Sequence, residues 1–304
     1  MKKALSKMAL SLGFIASATA FNVAQAASLV GYTTDNQLYT FDSTNIGAGT
    51  SVGITGLAGG ESFVGIDLRP STNTIYGITT ANKVYTLNAN TGAATFISAL
   101  NMNIVTAGLS FGFDFNPAAD FAGATSGRFV SSAGNNYAVN VNTGMVLNAA
   151  GANIGSGYSA VAYTNSTPAG APTKAPVLYY INADNDTMFE HEPVVGATGT
   201  TPGASFNAPN IVEVGKLGAN IGSISGFEIF ADGSAFLAAT VGNGNGQAFL
   251  FDADIETGEI KQIGKFNSDI RGLTAAPSAV PVPAAAWLFG SALIGFASFR
   301  RKSI

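Results

Sequence analysis

The chain has 304 residues, no cysteine, a single histidine and a formal net charge of −4 at neutral pH. Without cysteine there is no disulfide, and one histidine without any thiol argues against a zinc or redox-metal site. The excess of acidic residues argues against nucleic acid as a partner, because phosphates are bound by basic surfaces.

The first 26 residues have the three parts of a signal peptide. Lysines stand at positions 2, 3 and 7, an apolar stretch follows at residues 8–20, and small side chains at Ala24 and Ala26 suit a signal peptidase site. The apolar stretch is too short to cross a membrane comfortably, which favours a cleaved export signal over an ordinary first helix. We therefore expect signal peptidase to cleave after Ala26.

Short strands containing aromatic residues recur through residues 28–276, at intervals of about 40 to 50 residues. The copies are Leu38–Asp42, Val84–Asn88, Tyr137–Asn140, Leu178–Asn182 and Phe249–Asp252. The clearest unit has four apolar or alternating runs separated by turn residues, at 63–68, 74–79, 83–88 and 94–99. A repeat of this length built from short alternating runs is typical of a β-propeller blade.

The two ends of this region predict how the propeller closes. The first unit, residues 29–57, supplies only three strands, and a fourth follows the last complete unit, at residues 270–276. The other units span 110–148, 158–217 and 224–265. We therefore predict an all-β propeller of five four-stranded blades, closed by the C-terminal strand, which leaves no exposed strand edge. An open sandwich and a six-bladed ring are the alternatives.

The first strands of the five units align, three of them on the pattern Gly-x-Asp/Thr-x-x-Pro. Because the first strand of a blade lines the central channel, this alignment predicts an axial ring of polar residues: Asp67, Asp114, Tyr163, Glu228 and Thr274. Three more polar residues lie two positions later and should point the same way: Arg69, Asn116 and Asn165. The alignment makes these eight residues the candidate binding site.

The axial ring has more than one chemical interpretation. Three carboxyl groups in one pocket raise each other's pKa, and they could bind a cation such as calcium or perform acid–base chemistry on a carbohydrate. In the structural interpretation, each carboxylate accepts hydrogen bonds from the neighbouring blade and Arg69 pairs with one of them. The structural interpretation is the simplest, because it requires no ligand.

Other candidate sites in this region are weak. His191 is predicted to be an exposed residue of a blade, and no nucleophile elbow is present to pair with it. Calcium could bind at residues 184–186 or at Asp252 and Asp254, but neither segment follows the EF-hand pattern and both suit turns. The glycine-rich residues 242–246 predict a hairpin turn rather than a phosphate loop. No other cofactor is expected.

Several stretches between residues 29 and 275 resemble a family of domains of unknown function, family 4394. The matching stretches are Gly65–Pro70, Ile75–Ile78, Val84–Leu87 with Thr91-Gly92, Phe113–Pro117 and Ala162–Ser166. The resemblance implies an exported, propeller-like domain with no established activity.

Residues 277–304 have the three parts of a membrane-sorting tail. A proline motif, Val280-Pro281-Val282-Pro283, precedes an uncharged apolar segment at 284–299, and a basic cluster begins with Arg300 and Arg301. A helix over 284–299 would be about 24 Å long, slightly short of a hydrocarbon core of about 30 Å, and snorkelling cations could cover the difference. The basic cluster should stay in the cytoplasm, which leaves residues 28–280 outside.

This tail resembles the PEP-CTERM sorting signal of Gram-negative bacteria, although Val282 stands where that signal usually has an acidic residue. The resemblance implies an inner-membrane-anchored precursor, processing by an exosortase, and release or re-anchoring at the cell surface, often in organisms that produce exopolysaccharide. A plain transmembrane anchor is the alternative.

Three functions remain open at this point. The first is a cell-surface or extracellular-matrix propeller that binds an exopolysaccharide or a surface protein. The second is a carbohydrate-active hydrolase or lyase that uses the axial carboxylates, and the third is a structural component of the envelope or biofilm. Residues 28–276 carry 18 acidic and eight basic residues, a formal charge of −10, which disfavours nucleic acid and anionic lipid.

Overall fold

The computed structural model describes residues 26–147, 153–166, 168, 170–191, 210–242 and 247–278. Residues 1–25 of the predicted signal peptide, residues 279–304 of the predicted sorting tail and most of the glycine-rich turn, 243–246, lie outside these residues. No helix within the described ranges is both long and apolar enough to cross a membrane.

The described chain is built from short strands, with a single turn of helix, α1 (Pro117–Phe121). In chain order the strands are β1 (Ser28–Thr33), β2 (Gln37–Asp42), β3 (Asn45–Gly53), β4 (Phe63–Arg69), β5 (Thr74–Thr79), β6 (Lys83–Leu87), β7 (Ala94–Ala99), β8 (Phe111–Phe115), β9 (Gly127–Ser131), β10 (Asn136–Asn140), β11 (Met145–Leu147), β12 (Tyr158–Tyr163), β13 (Leu178–Asn182), β14 (Thr187–His191), β15 (Ile211–Lys216), β16 (Ile221–Ile229), β17 (Ala235–Val241), β18 (Ala248–Ala253), β19 (Ile260–Lys265) and β20 (Ile270–Ala275).

These strands form five antiparallel sheets of four strands, which are the blades of a propeller ring. Blade 1 has the order β20-β1-β2-β3, and blades 2 to 5 are β4–β7, β8–β11, β12–β15 and β16–β19. The inner strands β20, β4, β8, β12 and β16 contact one another in that order, and β16 returns to β20. The predicted all-β propeller of five blades is therefore confirmed.

Blade 1 joins the two ends of the domain. β20 pairs with β1 in antiparallel register from Leu29↔Ala275 to Thr33↔Ile270. Just after β20, Ser278 and Asn73 of blade 2 exchange two hydrogen bonds, at 2.8 Å and 3.0 Å. The C-terminal strand thus completes the first blade, as the sequence predicts, and its continuation is bonded to the second.

The ring is held together by apolar side chains between the blades. Every residue of inner strand β4 is buried, whereas the outer strand β3 is largely exposed. Close approach at the axis requires a small residue on each inner strand: Gly65, Gly112, Ala160, Gly226 and Gly272. A Cβ atom on Gly112 would lie 2.8 Å from the backbone of Ala160, so a larger residue would force blades 3 and 4 apart.

Helix α1 is the one helical element that the described residues contain, and the sequence pattern does not predict it. Its five residues are too few to show a helical period. The local signals are a proline at its first position and the Asn116 side chain, whose Oδ1 accepts a hydrogen bond from the backbone N–H of Ala119 at 3.0 Å. Asn116 is therefore a helix cap.

Candidate functional site

Three carboxyl groups meet on the propeller axis. Asp67, Asp114 and Glu228 lie on β4, β8 and β16, and one carboxylate oxygen from each lies within 4.8 Å of the other two. Each of the three residues is only 2% exposed to solvent. The structure therefore brings together the acidic part of the predicted axial ring, in a place that solvent does not reach.

Each carboxylate accepts a hydrogen bond from the next blade in the ring. The donor in every case is the backbone N–H that follows the axial position: Phe115 to Asp67 at 2.8 Å, Tyr163 to Asp114 at 3.0 Å, and Ala275 to Glu228 at 3.0 Å. These bonds join blade 2 to blade 3, blade 3 to blade 4, and blade 5 to blade 1. The carboxylates thus connect neighbouring inner strands, as the structural interpretation requires.

Thr274 makes the corresponding link from blade 1 to blade 2. Its Oγ1 accepts a hydrogen bond from the backbone N–H of Leu68 at 2.7 Å. The same hydroxyl donates to Asp67 Oδ1 at 2.9 Å. A neutral side chain therefore plays the part of a carboxylate at this position, which indicates that the link needs an acceptor rather than a charge.

Burial raises the pKa of all three axial acids. Removal of the Asp67 carboxyl group from water raises its pKa to about 7. Hydrogen bonds from Phe115, Thr274 and Leu68 lower this pKa, but by less than burial raises it. Burial raises the pKa of Asp114 well above its usual range, and the charges of Asp67 and Glu228 raise it further. Burial and the charge of Asp67 do the same to the pKa of Glu228. At neutral pH the cluster therefore holds shared protons rather than three full negative charges.

Tyr163 does not belong to the axial ring. Its backbone N–H occupies the place of the Phe115 and Ala275 donors, so the axial position of β12 is the preceding residue, Ala162. The Tyr163 side chain is buried with other apolar residues between blades 3 and 4, and its hydroxyl accepts a hydrogen bond from Arg128 Nε at 3.2 Å. The fifth axial side chain is thus a methyl group, with no acceptor for the next blade.

Arg69 does not pair with an axial acid, which corrects that part of the structural interpretation. Its Nε lies 2.6 Å from Asp120 Oδ1 in a buried ion pair, and its Nη1 donates a hydrogen bond to Asn142 Oδ1 at 2.9 Å. The guanidinium also lies over the rings of Tyr76 and Phe115. Hydrogen bonds to Asp120 raise the pKa of Arg69, although burial opposes them. Arg69 therefore ties blade 2 to the α1 segment of blade 3.

The two remaining residues of the predicted site also act locally. Asn116 caps α1, and Asn165 adopts a positive φ of 63° in a turn where its amide donates to Ala175 at 3.2 Å. Thus four of the eight predicted residues meet at the axis, and the rest hold turns or interfaces.

A cavity of about 300 Å³ opens at the mouth of the axis, on the side where the inner strands begin. We call it the mouth; it is lined by Val64, Thr80, residues 105–111, residues 223–225 and Arg271. Below it lies a constriction of about 10 Å³, lined by residues that precede the axial position on each inner strand. The mouth is large enough for a small ligand, whereas the constriction has room for about one water molecule.

His191 is buried, contrary to the prediction that it is exposed. It ends β14 at 2% exposure, and its Nδ1 lies 3.1 Å from the Tyr180 hydroxyl of the neighbouring strand. Glu190 and Glu192 flank His191 in the sequence, which favours an exposed position, but His191 lies on the third strand of its blade and its side chain points inward. His191 therefore serves packing within blade 4.

Of the two candidate calcium segments, residues 184–186 form a turn, whereas Asp252 lies in strand β18 and only Asp254 belongs to the turn that follows it. Asp186 has a positive φ of 53°, and its Oδ1 accepts a hydrogen bond from the backbone N–H of Ile221 at 2.8 Å. Asp254 Oδ1 accepts from the N–H groups of Glu256 and Thr257, at 2.8 Å and 3.2 Å. Both carboxylates are thus engaged by backbone groups, as the turn interpretation predicts.

The model of a protein family described as Domain of unknown function (DUF4394) matches residues 37–274. The chain belongs to this family. No curated protein matches it in sequence.

Three solved structures are similar to this DUF4394 chain at low identity. TolB from Acinetobacter baumannii is 15% identical with a TM-score of 0.42, over 80% of this chain and 54% of that protein, so the chain spans about half of its length. A TolB-like protein from Agrobacterium tumefaciens is 9% identical with a TM-score of 0.43, over 82% and 84%. A 6-phosphogluconolactonase-like protein from Bacteroides fragilis is 10% identical with a TM-score of 0.40, over 81% and 83%. Likenesses at this level carry no argument about ligand or activity.

Sequence reasoning missed the mouth of the DUF4394 domain. Its lining comes from the start of β4, the residue after β5, the loop before β8, the start of β16 and the start of β20, which are far apart in sequence. Its serines and threonines follow no motif. The available signal was Arg271, a cation immediately before the Gly272-Leu273-Thr274 pattern of inner strand β20, between Ile270 and Gly272.

Proposed function

We propose that the protein is an exported cell-surface or matrix protein that binds a sugar unit of an exopolysaccharide in the mouth of its propeller. The observation that carries this proposal is the mouth itself, a cavity of about 300 Å³ on the ring axis. It combines hydroxyl side chains with apolar ones such as Val64, Val105 and Leu109. A lining of this kind suits a sugar ring, which has hydroxyl edges and apolar faces.

The two ends of the sequence support the cell-surface location in this proposal. The export pattern that ends at Ala26 would deliver the chain to the periplasm. The tail from Val280 to the Arg300-Arg301 cluster would hold the precursor in the inner membrane until an exosortase processes it. Display on the outer-membrane surface or release from the cell would then place the mouth where an exopolysaccharide is found.

The axial acids favour a binding function over catalysis. A glycosidase needs carboxyl groups that contact the substrate, in a pair spaced to suit its mechanism. Asp67, Asp114 and Glu228 are buried, accept hydrogen bonds from neighbouring blades, and are separated from the mouth by the narrow constriction. Their role in this proposal is to hold the ring that forms the mouth. Hydrolase or lyase activity would require substrate to pass that constriction.

A binding screen against the host's exopolysaccharide tests the proposal. Ala107→Trp places a large ring on an exposed loop residue that lines the mouth, and Ser51→Trp adds the same ring to the exposed face of β3 as a matched control. The full-length chain and the Ser51 variant should bind, and the Ala107 variant should lose binding while its thermal midpoint is unchanged.

Each other outcome points elsewhere. Equal binding by both variants would move the site away from the mouth. Release of shorter saccharides by the wild-type chain would favour the enzyme alternative. Absence of binding by the wild-type chain would overturn the proposal and favour a structural component of the envelope.

A further inference from the structure

Arg271 is the cation that lines the mouth. It lies near the start of inner strand β20, between the buried Ile270 and Gly272, and it lines both the mouth and the constriction beneath it. The residue is partly buried. Within the described part of the chain, no hydrogen bond or ion pair engages its guanidinium, in contrast to Arg69 with its carboxylate partner.

The rest of the lining leaves this charge without compensation. No acidic side chain lines the mouth among the described residues, although residues 28–276 carry 18 acidic groups. The polar lining is supplied instead by hydroxyl groups: Thr80, Thr106, Ser110, Ser223 and Ser225. Ser225 is already bonded to Ser159 at 2.8 Å, while Thr106 and Ser223 are exposed. A partly desolvated guanidinium gains most from an anionic partner, and the protein supplies none here.

We infer that the mouth selects an anionic group, the carboxylate of an acidic sugar, and that Arg271 binds it. A guanidinium presents two parallel N–H donors to the two oxygens of a carboxylate. The hydroxyl groups around it would bond the sugar hydroxyls, and the apolar side chains would contact the ring. This inference deepens the proposed function and rests on it for the sugar that carries the charge. Sulfate shares the anionic chemistry without the sugar.

The inference is tested by titrating three probes into the full-length chain: glucuronate, glucose and inorganic sulfate. We expect glucuronate to bind at least about tenfold more tightly than glucose, because a hydrogen bond between charged groups is stronger than one between neutral groups. Arg271→Gln should remove this preference. Arg271→Lys should retain part of it, because lysine keeps the positive charge but lacks the two parallel N–H donors of the guanidinium. Lys265→Gln removes the same charge from an exposed position on β19 and should change nothing.

The outcomes separate this inference from the proposed function. Exopolysaccharide binding that is equal in wild type and Arg271→Gln would overturn the anionic site and leave the binding function standing. Glucuronate binding that depends on Arg271, without any exopolysaccharide binding, would support the site and overturn the polysaccharide partner. Sulfate binding without glucuronate binding would overturn the carboxylate assignment. Circular dichroism of both Arg271 variants verifies that each result comes from folded protein.

Discussion

Replacing Asp67 with asparagine removes a titrating group from the axial cluster and keeps its shape. The amide oxygen can accept the N–H of Phe115 in place of Oδ2, and the amide nitrogen can donate to Thr274 Oγ1. That hydroxyl retains its bond from Leu68 and can turn its own proton toward Glu228. The ring should therefore keep its links between blades, and only the response to pH should change.

The magnitude follows from the pKa of Asp67, which burial raises from 3.8 to about 7. The folded chain holds this proton more tightly than the unfolded chain, so the stabilisation is complete below about pH 4 and is lost as pH rises to about 7. Each pKa unit corresponds to about 1.4 kcal/mol. Between pH 5 and pH 8, Asp67 should therefore lower the free energy of unfolding by about 3 kcal/mol. The asparagine variant should lack this loss.

Urea unfolding at pH 5 and pH 8, in the presence of EDTA, measures the difference directly. Glu213→Gln, at an exposed position on β15, is the matched control and should follow the wild type. Identical pH dependence in the wild type and Asp67→Asn would refute the account of a buried, proton-sharing cluster. A rise in wild-type stability at pH 8 on adding calcium would also refute it, since the charge would then be balanced by a cation.

Three further changes test how the ring is held. Asp120→Ala leaves Arg69 buried without its carboxylate and should cost about 3–5 kcal/mol in urea unfolding, so a loss under about 1 kcal/mol would show the pair to be dispensable. Gly112→Ala pushes a methyl group into the backbone of blade 4 and should lower the free energy of unfolding by about 1–3 kcal/mol or more. Gly53→Ala, with open space around it, is the control and should have little effect. Equal thermal midpoints for the two variants would contradict the close approach at the axis. Deleting residues 270–275 leaves blade 1 without its inner strand and should abolish the monomer peak in size-exclusion chromatography, and a cooperative, monomeric product would show that closure is not required.

The ring architecture could be predicted because its signals are local. Repeated aromatic strands gave the blades, and the three-stranded first unit identified β20 as the missing partner of β1. The axial acids could be predicted because Asp67 and Asp114 follow the same glycine pattern. Tyr163 was misplaced by one residue, because β12 has no acid to align. Ala160, the small residue that replaces the glycine, marks the true register.

The other features of the site could not be predicted, because they depend on contacts between segments that are distant in sequence. Arg69 is separated by about 50 residues from Asp120, and no pattern connects the two positions. The inward direction of His191 depends on the place of β14 within its blade rather than on neighbouring residues. The mouth combines segments from blades 1, 2, 3 and 5, so its composition is visible only after the ring is closed.

The position of β20 makes the last strand of the domain a condition for finishing the first blade. While the ribosome still holds residues 270–275, β1 has no inner partner and the ring cannot be completed. A chain that is cut short before this strand would present open edges of the kind that proteases and chaperones recognise. Completion of the ring therefore reports that the whole domain has been synthesised, because the strand that finishes the first blade is the last one of the domain.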